Sequence, residues 1–312
     1  MQCPTLSELP PSPVGKTGWP WTEEGPQLPE TMPDGRPWPC ISIVTPSYNQ
    51  GQFIEETIRS VLLQRYPNLE YIVIDGGSTD NSVEIIKKYE KYLAYWVSEL
   101  DRGQADAINK GFLKSTGDIL AWQNSDDIYL PNAFFTVADV FRNHPAASLV
   151  FGNIKFLDEG DRECGELRFV PFSQWALIYE GTMLANQAAF WRRELFLTAG
   201  PLDTSLTFCM DYEFFLRASL YGRFKFIRRF LGAFRLHGKS KSSALSHIGM
   251  REHADVVRRF KMSSERSRKA QAWKALSILR RSLYYAIQGD VNYLIRGAIA
   301  RRKNSHERSH SA

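Results

Sequence analysis

Apolar residues between Ile41 and Gln123 fall in short continuous runs, ISIVT, YIVID, YWVSE and DILAWQ, separated by GQFIEETIRSVLLQ, NSVEIIKKYEKY and QADAINKGFLKS. The runs are rich in β-branched residues, the pattern of strands covered on both faces. The segments between them place apolar residues at i, i+3 and i+4, the pattern of helices with one buried side. Such alternation predicts right-handed crossovers and a mostly parallel sheet in an α/β domain. Ligands of such sheets gather beyond the carboxyl ends of the strands, so the residues following each run are expected to face one another.

Beyond Pro131 the order is less regular. A helix to about Asn143, a strand at SLVFGN and a hairpin-like stretch from Ile154 to Val170 come first. Elements at NQAAFWRRELF, DYEFFLRASLYG, FKFIRR and GAFRLH follow, and from about Leu245 the pattern is helical. Residues 1–39 are dense in proline, which forbids helix and most strand pairing, so an irregular arm is expected there. Trp19, Trp21 and Trp38 are its candidates for pinning to the domain. The expected organisation is an arm over residues 1–40, a catalytic domain over 41–243 and a helical basic extension over 244–312.

Composition narrows the class. The 312 residues are 43% hydrophobic and 23% charged, near the globular average, and suit one α/β domain with extensions. No run of about 18 apolar residues occurs, and MQCPTLSELPPSPVGK lacks the apolar core of a signal peptide. A cytosolic protein is therefore expected, with a peripheral seat at the inner face of the plasma membrane left open. Cys3, Cys40, Cys164 and Cys209 have no CxxC spacing, which points to reduced thiols and not to zinc or a disulfide framework. From Ser263 onward 11 Lys/Arg stand against 3 Asp/Glu, a surplus of 8 that exceeds the chain's net +5, so residues 1–262 are acidic by 3. The basic character belongs to the tail.

Three polar clusters stand at strand ends: Thr45-Pro46-Ser47-Tyr48-Asn49, Asp75-Gly76-Gly77-Ser78-Thr79-Asp80 and Asn124-Ser125-Asp126-Asp127. A turn of small residues lets backbone approach a ligand, the Asp75 carboxylate can accept from a base N–H, and Tyr48 can stack on a base. Ordinary turn chemistry reads the same residues differently, since Ser78-Thr79-Asp80 ahead of an apolar helix is a good N-cap. Asp126 and Asp127 repel one another unless a cation is shared. Oxygen ligands with few histidines nearby favour Mg²⁺ or Mn²⁺, which keep waters and bridge two phosphates. A solvated acidic turn capping the next helix is the alternative.

Taken in order, TPSYN, DGGSTD, RGQADAINKGF, NSDD, NQAAFWRRELF, GPLD, MDYEFFLR and FRLHGKSKS, spread from about Ile41 to Ser243, resemble the family 2 glycosyltransferases of GT-A fold that build bacterial surface polysaccharides. The resemblance implies a nucleotide-diphospho-sugar donor, with a UDP-sugar the first choice, and a saccharide or lipid-linked acceptor. It implies that Thr45, Tyr48, Asn49, Ser78, Asn124 and Ser125 line the nucleotide pocket, that Asp75 reads the base, and that Asp106 and Lys110 lie beside the nucleotide. A surface helix with paired charges would place Asp106 and Lys110 equally well. The family's Asp-x-Asp motif has Asn124 at its first position here, leaving Asp126 as metal ligand and Asp127 as a second ligand or a sugar-hydroxyl acceptor. Asp211 matches the general base of inverting members, which takes the acceptor's proton while the nucleotide leaves from the opposite face. Glu213 is the substitute, but two residues along a helix is about 200° around, so the two can hardly face one pocket. His237 is a candidate metal or diphosphate ligand, and Arg235, Lys239 and Lys241 are cations for the diphosphate. Gln187 and Trp191 are candidates to touch sugar or acceptor, with core packing the other reading of Trp191.

The tail AWKALSILRRSLYYAIQGDVNYLIRGAIARRK interleaves apolar and basic residues at helical spacing. An interfacial helix on anionic lipid and a helix pair packed on protein both fit it. It carries no recognisable nucleic-acid motif, and no nucleic-acid partner is expected. Two rival functions remain in view. A catalytically silent scaffold of the same fold has only Asn124 in its favour. A sugar nucleotidyltransferase wants a Gly/Arg/Lys-rich phosphate loop, which TPSYNQGQ is not, and a dehydrogenase would need GxGxxG after the first strand.

Overall fold

The computed structural model describes residues 3–181, 183–238, 246–260 and 268–295. Strand β1 (Ile41–Ser47) is buried along its whole length because β2 (Leu69–Asp75) and β4 (Ile119–Trp122) pair with it in parallel on either side. β3 (Tyr95–Ser98) extends the parallel set beyond β2. Helices α1 (Ile54–Leu62), α2 (Ser82–Tyr89) and α3 (Gln104–Lys114) fill the crossovers, as the alternating pattern predicts. Register then decides what meets at the sheet edge. Ser47 is opposite Asp75 and Asp75 opposite Ser98, so the loops leaving these strands emerge side by side.

The second half of the sheet is mixed. β8 (Ala189–Arg192) runs antiparallel between β4 and β6 (Leu149–Leu157), and β9 (Phe224–Arg235) lies parallel to β6. β5 (Ile128–Tyr129) closes the order β3-β2-β1-β4-β8-β6-β9-β5, with β7 (Glu163–Leu167) paired to β6 as a hairpin. The sequence suggests separate elements at FKFIRR and GAFRLH, but they form the single strand β9. Pairing of β9 with both β6 and β5 carries the chain straight through.

The remaining helices are α4 (Ala133–Asn143), α5 (Gln174–Glu180), α6 (Arg193–Ala199), α7 (Met210–Ala218), α8 (Ser246–Arg259) and α9 (Arg268–Ile287). An aromatic cluster ties β4, β8 and α7 together. Trp122 stacks on Phe215 at 5.9 Å, and Trp191 packs edge-on to Trp122 at 5.3 Å and tilted against Phe214 at 5.2 Å. Truncating one such ring costs about 3–5 kcal/mol. Because Phe214 and Phe215 are anchored below, the first turn of α7, one turn N-terminal on the same side, is held over the end of β4.

The arm is irregular and folded onto α1. Trp21 and Trp38 are buried, and Trp19 donates its indole N–H to the Tyr129 carbonyl at 2.8 Å. Arg59 of α1 is almost wholly buried, its guanidinium donating to the carbonyls of Pro10, Pro20 and Trp21 at 2.8–3.1 Å. A buried cation is tolerable only with such a shell, and the arm supplies it. Among the described residues no helix is long and apolar enough to cross a membrane.

Candidate active site

One cleft of about 1260 Å³ runs along the sheet edge. Its first half is lined by Tyr48, Gly76, Asp101, Gln104, Asn124, Ser125 and Asp126, and its far half by Gln187, Asp211, Met250 and His253 among others. Tyr48 is 60% exposed at the mouth, placed for its ring to lie against a flat ligand. Asp101 closes on Gly76: a Cβ there would stand 2.6 Å from the Asp101 carboxylate, which would have to shift.

The loops reach this arrangement through carboxylates that hold backbone. Asp75 is fully buried, and its carboxylate accepts from the amides of Gly77 and Ser78 at 3.1 and 2.9 Å and from the hydroxyls of Ser78 and Ser98 at 2.5 and 2.7 Å. In this arrangement it shapes the loop. Asn49, at φ 52°, ties the first loop to the second by accepting from the Thr79 amide, while its own N–H donates to the Ser78 hydroxyl. Ser78 and Asn49 therefore support the pocket without lining it. Thr45 lies one step deeper along β1. It is wholly buried, hydrogen-bonded to the Tyr71 hydroxyl at 3.0 Å, because β1 has no solvent-facing side.

Asp106 accepts from the Arg102 guanidinium at 2.7 Å and lies 3.9 Å from Lys110, which itself donates to Glu99 at 2.9 Å. The Arg102 hydrogen bond holds the Asp106 carboxyl below the usual range, and the Glu99 bond raises the Lys110 ammonium. This charge ladder braces the loop that carries Asp101, and neither Asp106 nor Lys110 lines the cleft.

Asp126 and Asp127 point to opposite environments. Asp127 is enclosed, accepting from Asn124 Nδ2 at 3.0 Å, Gln187 Nε2 at 2.8 Å and the Arg235 amide at 2.9 Å. Burial foremost, with Asp126 beside it, pushes its carboxyl up to about 8. Its reading as a second metal ligand is not met by this placement, since the side chain faces the interior. Gln187 lines the floor of the cleft, but its amide is engaged by Asp127. Asn124 bridges the same group to Gln104, whose Nε2 donates to Asn124 Oδ1 at 2.7 Å.

Asp126 lines the cleft, and its Oδ2 lies 2.9 Å from His237 Nε2. The His237 ring rests on Phe53, centroids 4.8 Å apart. One carboxylate oxygen and one imidazole nitrogen fit a divalent cation whose other positions come from phosphate and water. Among the described residues no three His, Cys, Asp or Glu side chains gather as a metal-holding group. Arg235 is not free for a diphosphate. Its buried guanidinium donates to Glu56 at 2.9 Å and to the Asp126 carbonyl at 3.0 Å, and pairs with Asp161, bracing Asp126 from behind. Lys239 and Lys241 lie outside the described residues.

At the far half, Asp211 stands in the first turn of α7 and lines the cleft. Glu213 is turned away into a bidentate pair with Arg217 at 2.7–2.8 Å, as the 200° offset requires. Trp191, fully buried among rings, is core and not a sugar platform. Sequence reasoning missed Asp101, which the strand-end rule would have found after YWVSE. It also missed Glu252 of α8, which has no local signal. The Glu252 carboxylate accepts from the amides of Thr207, Phe208 and Cys209, each at 2.8 Å, fixing the turn that delivers Asp211.

A parallel β-α half with a switch to mixed pairing, and a cleft at the strand ends with Asp126 on its rim, defines the GT-A fold of nucleotide-sugar transferases. The sequence pattern of Glycosyl transferase family 2 matches residues 42–222, and the chain belongs to that family and is a glycosyltransferase. An uncharacterized glycosyltransferase of Mycobacterium tuberculosis strain H37Rv is 31% identical over 233 residues, covering 73% of this chain and 88% of the relative. A PGL/p-HBAD biosynthesis glycosyltransferase of Mycobacterium bovis BCG is 28% identical over 183 residues, covering 57% and 69%.

The fold is shared with S. aureus TarS 1-349 in complex with UDP-GlcNAc, at a TM-score of 0.56 and 20% identity, covering 70% of this chain and 66% of that one. A longer TarS chain is matched over 39% of its length. The mannosyltransferase PcManGT of Pyrobaculum calidifontis, in complex with GDP-Man and Mn²⁺, gives a TM-score of 0.50 at 17% identity, covering 84% and 86%.

Proposed function

We propose that this glycosyltransferase moves a sugar from a nucleotide-diphospho-sugar, first of all a UDP-sugar, to an acceptor hydroxyl with inversion, in the building of a cell-envelope glycan or glycolipid. The observation that carries the reading is that Asp126 and Asp211 border one cleft from its two halves, with Tyr48 at its mouth. Tyr48, Asp101 and Gln104 are assigned to the nucleoside. Asp126 and His237 would hold Mn²⁺ or Mg²⁺ together with the donor diphosphate, and the cation would offset charge on the departing phosphate. Asp211 takes the acceptor proton. The acceptor oxygen bonds to the anomeric carbon as the bond from that carbon to the phosphate oxygen breaks, and the nucleoside diphosphate leaves with the electron pair.

Membrane contact belongs to the same proposal. Trp273, Leu276, Leu279, Leu283 and Ile287 of α9 are 41–71% exposed, and Trp175 stacks on Trp273 at 5.1 Å. Next to a basic tail, such a face suits anionic lipid. Leu279→Glu with Leu283→Glu should release the protein from phosphatidylglycerol vesicles, and unchanged co-sedimentation rules the contact out. The donor reading is tested by thermal melts with a panel of nucleotide-sugars, with and without MnCl₂. A metal-dependent rise in Tm with one base class supports it, and no rise with any of them overturns it.

A further inference from the structure

The cleft is larger than one donor needs. At about 1260 Å³ it exceeds the roughly 300–1000 Å³ usual for a single small ligand, and it extends to a far end where α8 faces the turn before α7. The walls there are Leu184, Phe208, Met210, Met250 and Ala254. Met250 lines the cleft at 72% exposure with an unbranched apolar side chain.

This wall is fixed. Glu252, two residues along α8, grips three backbone amides of the turn, and Gly249 sits so close to Phe208 that a Cβ would stand 2.6 Å from its ring. Polar groups nearby are largely engaged elsewhere: the Tyr212 hydroxyl donates to the Leu177 carbonyl, and Glu252 is held by the turn. Asn186 differs. It lines the cleft at 6% exposure, and among the described residues its buried Nδ2 has no hydrogen-bond partner. A saccharide pressed against Leu, Phe and Met would lose hydration of its hydroxyls without replacement, which is costly. A few orienting groups, Asn186, Thr207 and His253, beside an apolar wall suit a different molecule.

We infer that the far end of the cleft is an acceptor subsite for a hydroxyl borne on an apolar carrier, an alkyl chain or aromatic ring within a few atoms of the reacting oxygen, with Met250 as its specificity-determining wall. This rests on the transferase reading above. The subsite continues the donor half past Asp211, so carrier and base meet at one hydroxyl.

The test uses the full chain with UDP and MnCl₂ present. Octyl β-D-glucoside, kept below its micelle-forming concentration, is compared with methyl β-D-glucoside by tryptophan fluorescence titration. The octyl compound should half-saturate at a concentration lower by at least about tenfold, the order expected for burying several methylenes. Met250→Glu should reduce that preference to under about threefold, whereas Leu197→Glu on the exposed side of α6 should leave it intact. Equal binding of the two glucosides, or an octyl preference that survives Met250→Glu, overturns the inference. The UDP-induced rise in Tm, read on the same samples, separates the two claims. Its absence in the unaltered protein fails the choice of a UDP-sugar donor, whereas its presence without an octyl preference fails the subsite alone.

Discussion

His237 Nε2 stands 2.9 Å from Asp126 Oδ2, joining two loops whose residues are 111 positions apart. The pair joins Asp126, which lines the cleft, to an imidazole behind it that borders the neighbouring depression at Asp158, Glu159 and Gly238. If both hold a cation together with the donor, Asp126→Asn should reduce the Mn²⁺-dependent rise in Tm with UDP to the value seen in EDTA. His237→Ala should weaken cation affinity by at least about tenfold. A full Mn²⁺ response in Asp126→Asn removes the assignment.

Asp211 is the carboxylate at the start of α7, and its substitute Glu213 is locked to Arg217. Asp211→Asn should lower the rate of sugar transfer about 10²- to 10⁴-fold, the usual contribution of a general base, while UDP binding stays within about twofold. Near-normal turnover in that variant would exclude it as the base.

Glu56 supplies a pH dependence that can be signed. Burial, the leading cause, raises its carboxyl to about 7; Arg235 opposes the rise and Asp161 adds to it. The ordinary value is about 4.3. Between these limits the folded protein keeps a proton that the unfolded chain has released, so stability falls as pH rises and this contribution is gone once pH passes about 7. Asp161, although burial raises it, ends low through Lys16 and Arg235, so it remains ionised across that window. Glu56→Gln is neutral at every pH and should remove the slope. The Tm of the unaltered protein relative to Glu56→Gln should therefore decline from pH 5 to pH 8, and a constant difference would contradict the account.

Glu252 is a positioning residue for Asp211, acting through the turn it holds. Glu252→Ala should cost about 1–3 kcal/mol of stability, the penalty of leaving amides without their charged partner. Below the melting range it should lower kcat more than it raises the donor KM. Glu252→Gln, which keeps one acceptor oxygen, should recover part of the rate. Equal loss in both variants would reduce Glu252 to a fold support.

The strand ends were legible because continuous apolar runs mark buried strands, and buried parallel strands place their following loops together. Which side chain in each loop faces the ligand was not. β1 is covered on both faces, so no polar alternation separates Thr45, bonded to Tyr71, from Tyr48 at the mouth. Asp126 and Asp127 are adjacent, and only long-range partners, Gln187 and the Arg235 amide for Asp127, decide which one turns inward. Asp75 carries the strongest local signal for a ligand and uses it on its own loop. The role of α8 had no local sign, because a helix that lines a cleft and one that covers a surface share the same amphipathic period.

The shell around Arg59 has an order-of-synthesis consequence. The arm leaves the ribosome before α1, and Lys16 must wait for Asp161 and Trp19 for the Tyr129 carbonyl. The arm, made before the elements it packs on, is thus late to find its place, and its tryptophans stay exposed to other nascent chains in the interval. A shortened protein beginning at β1 would mature no faster in any useful sense, because its guanidinium would then have to stay wet or distort α1 to escape.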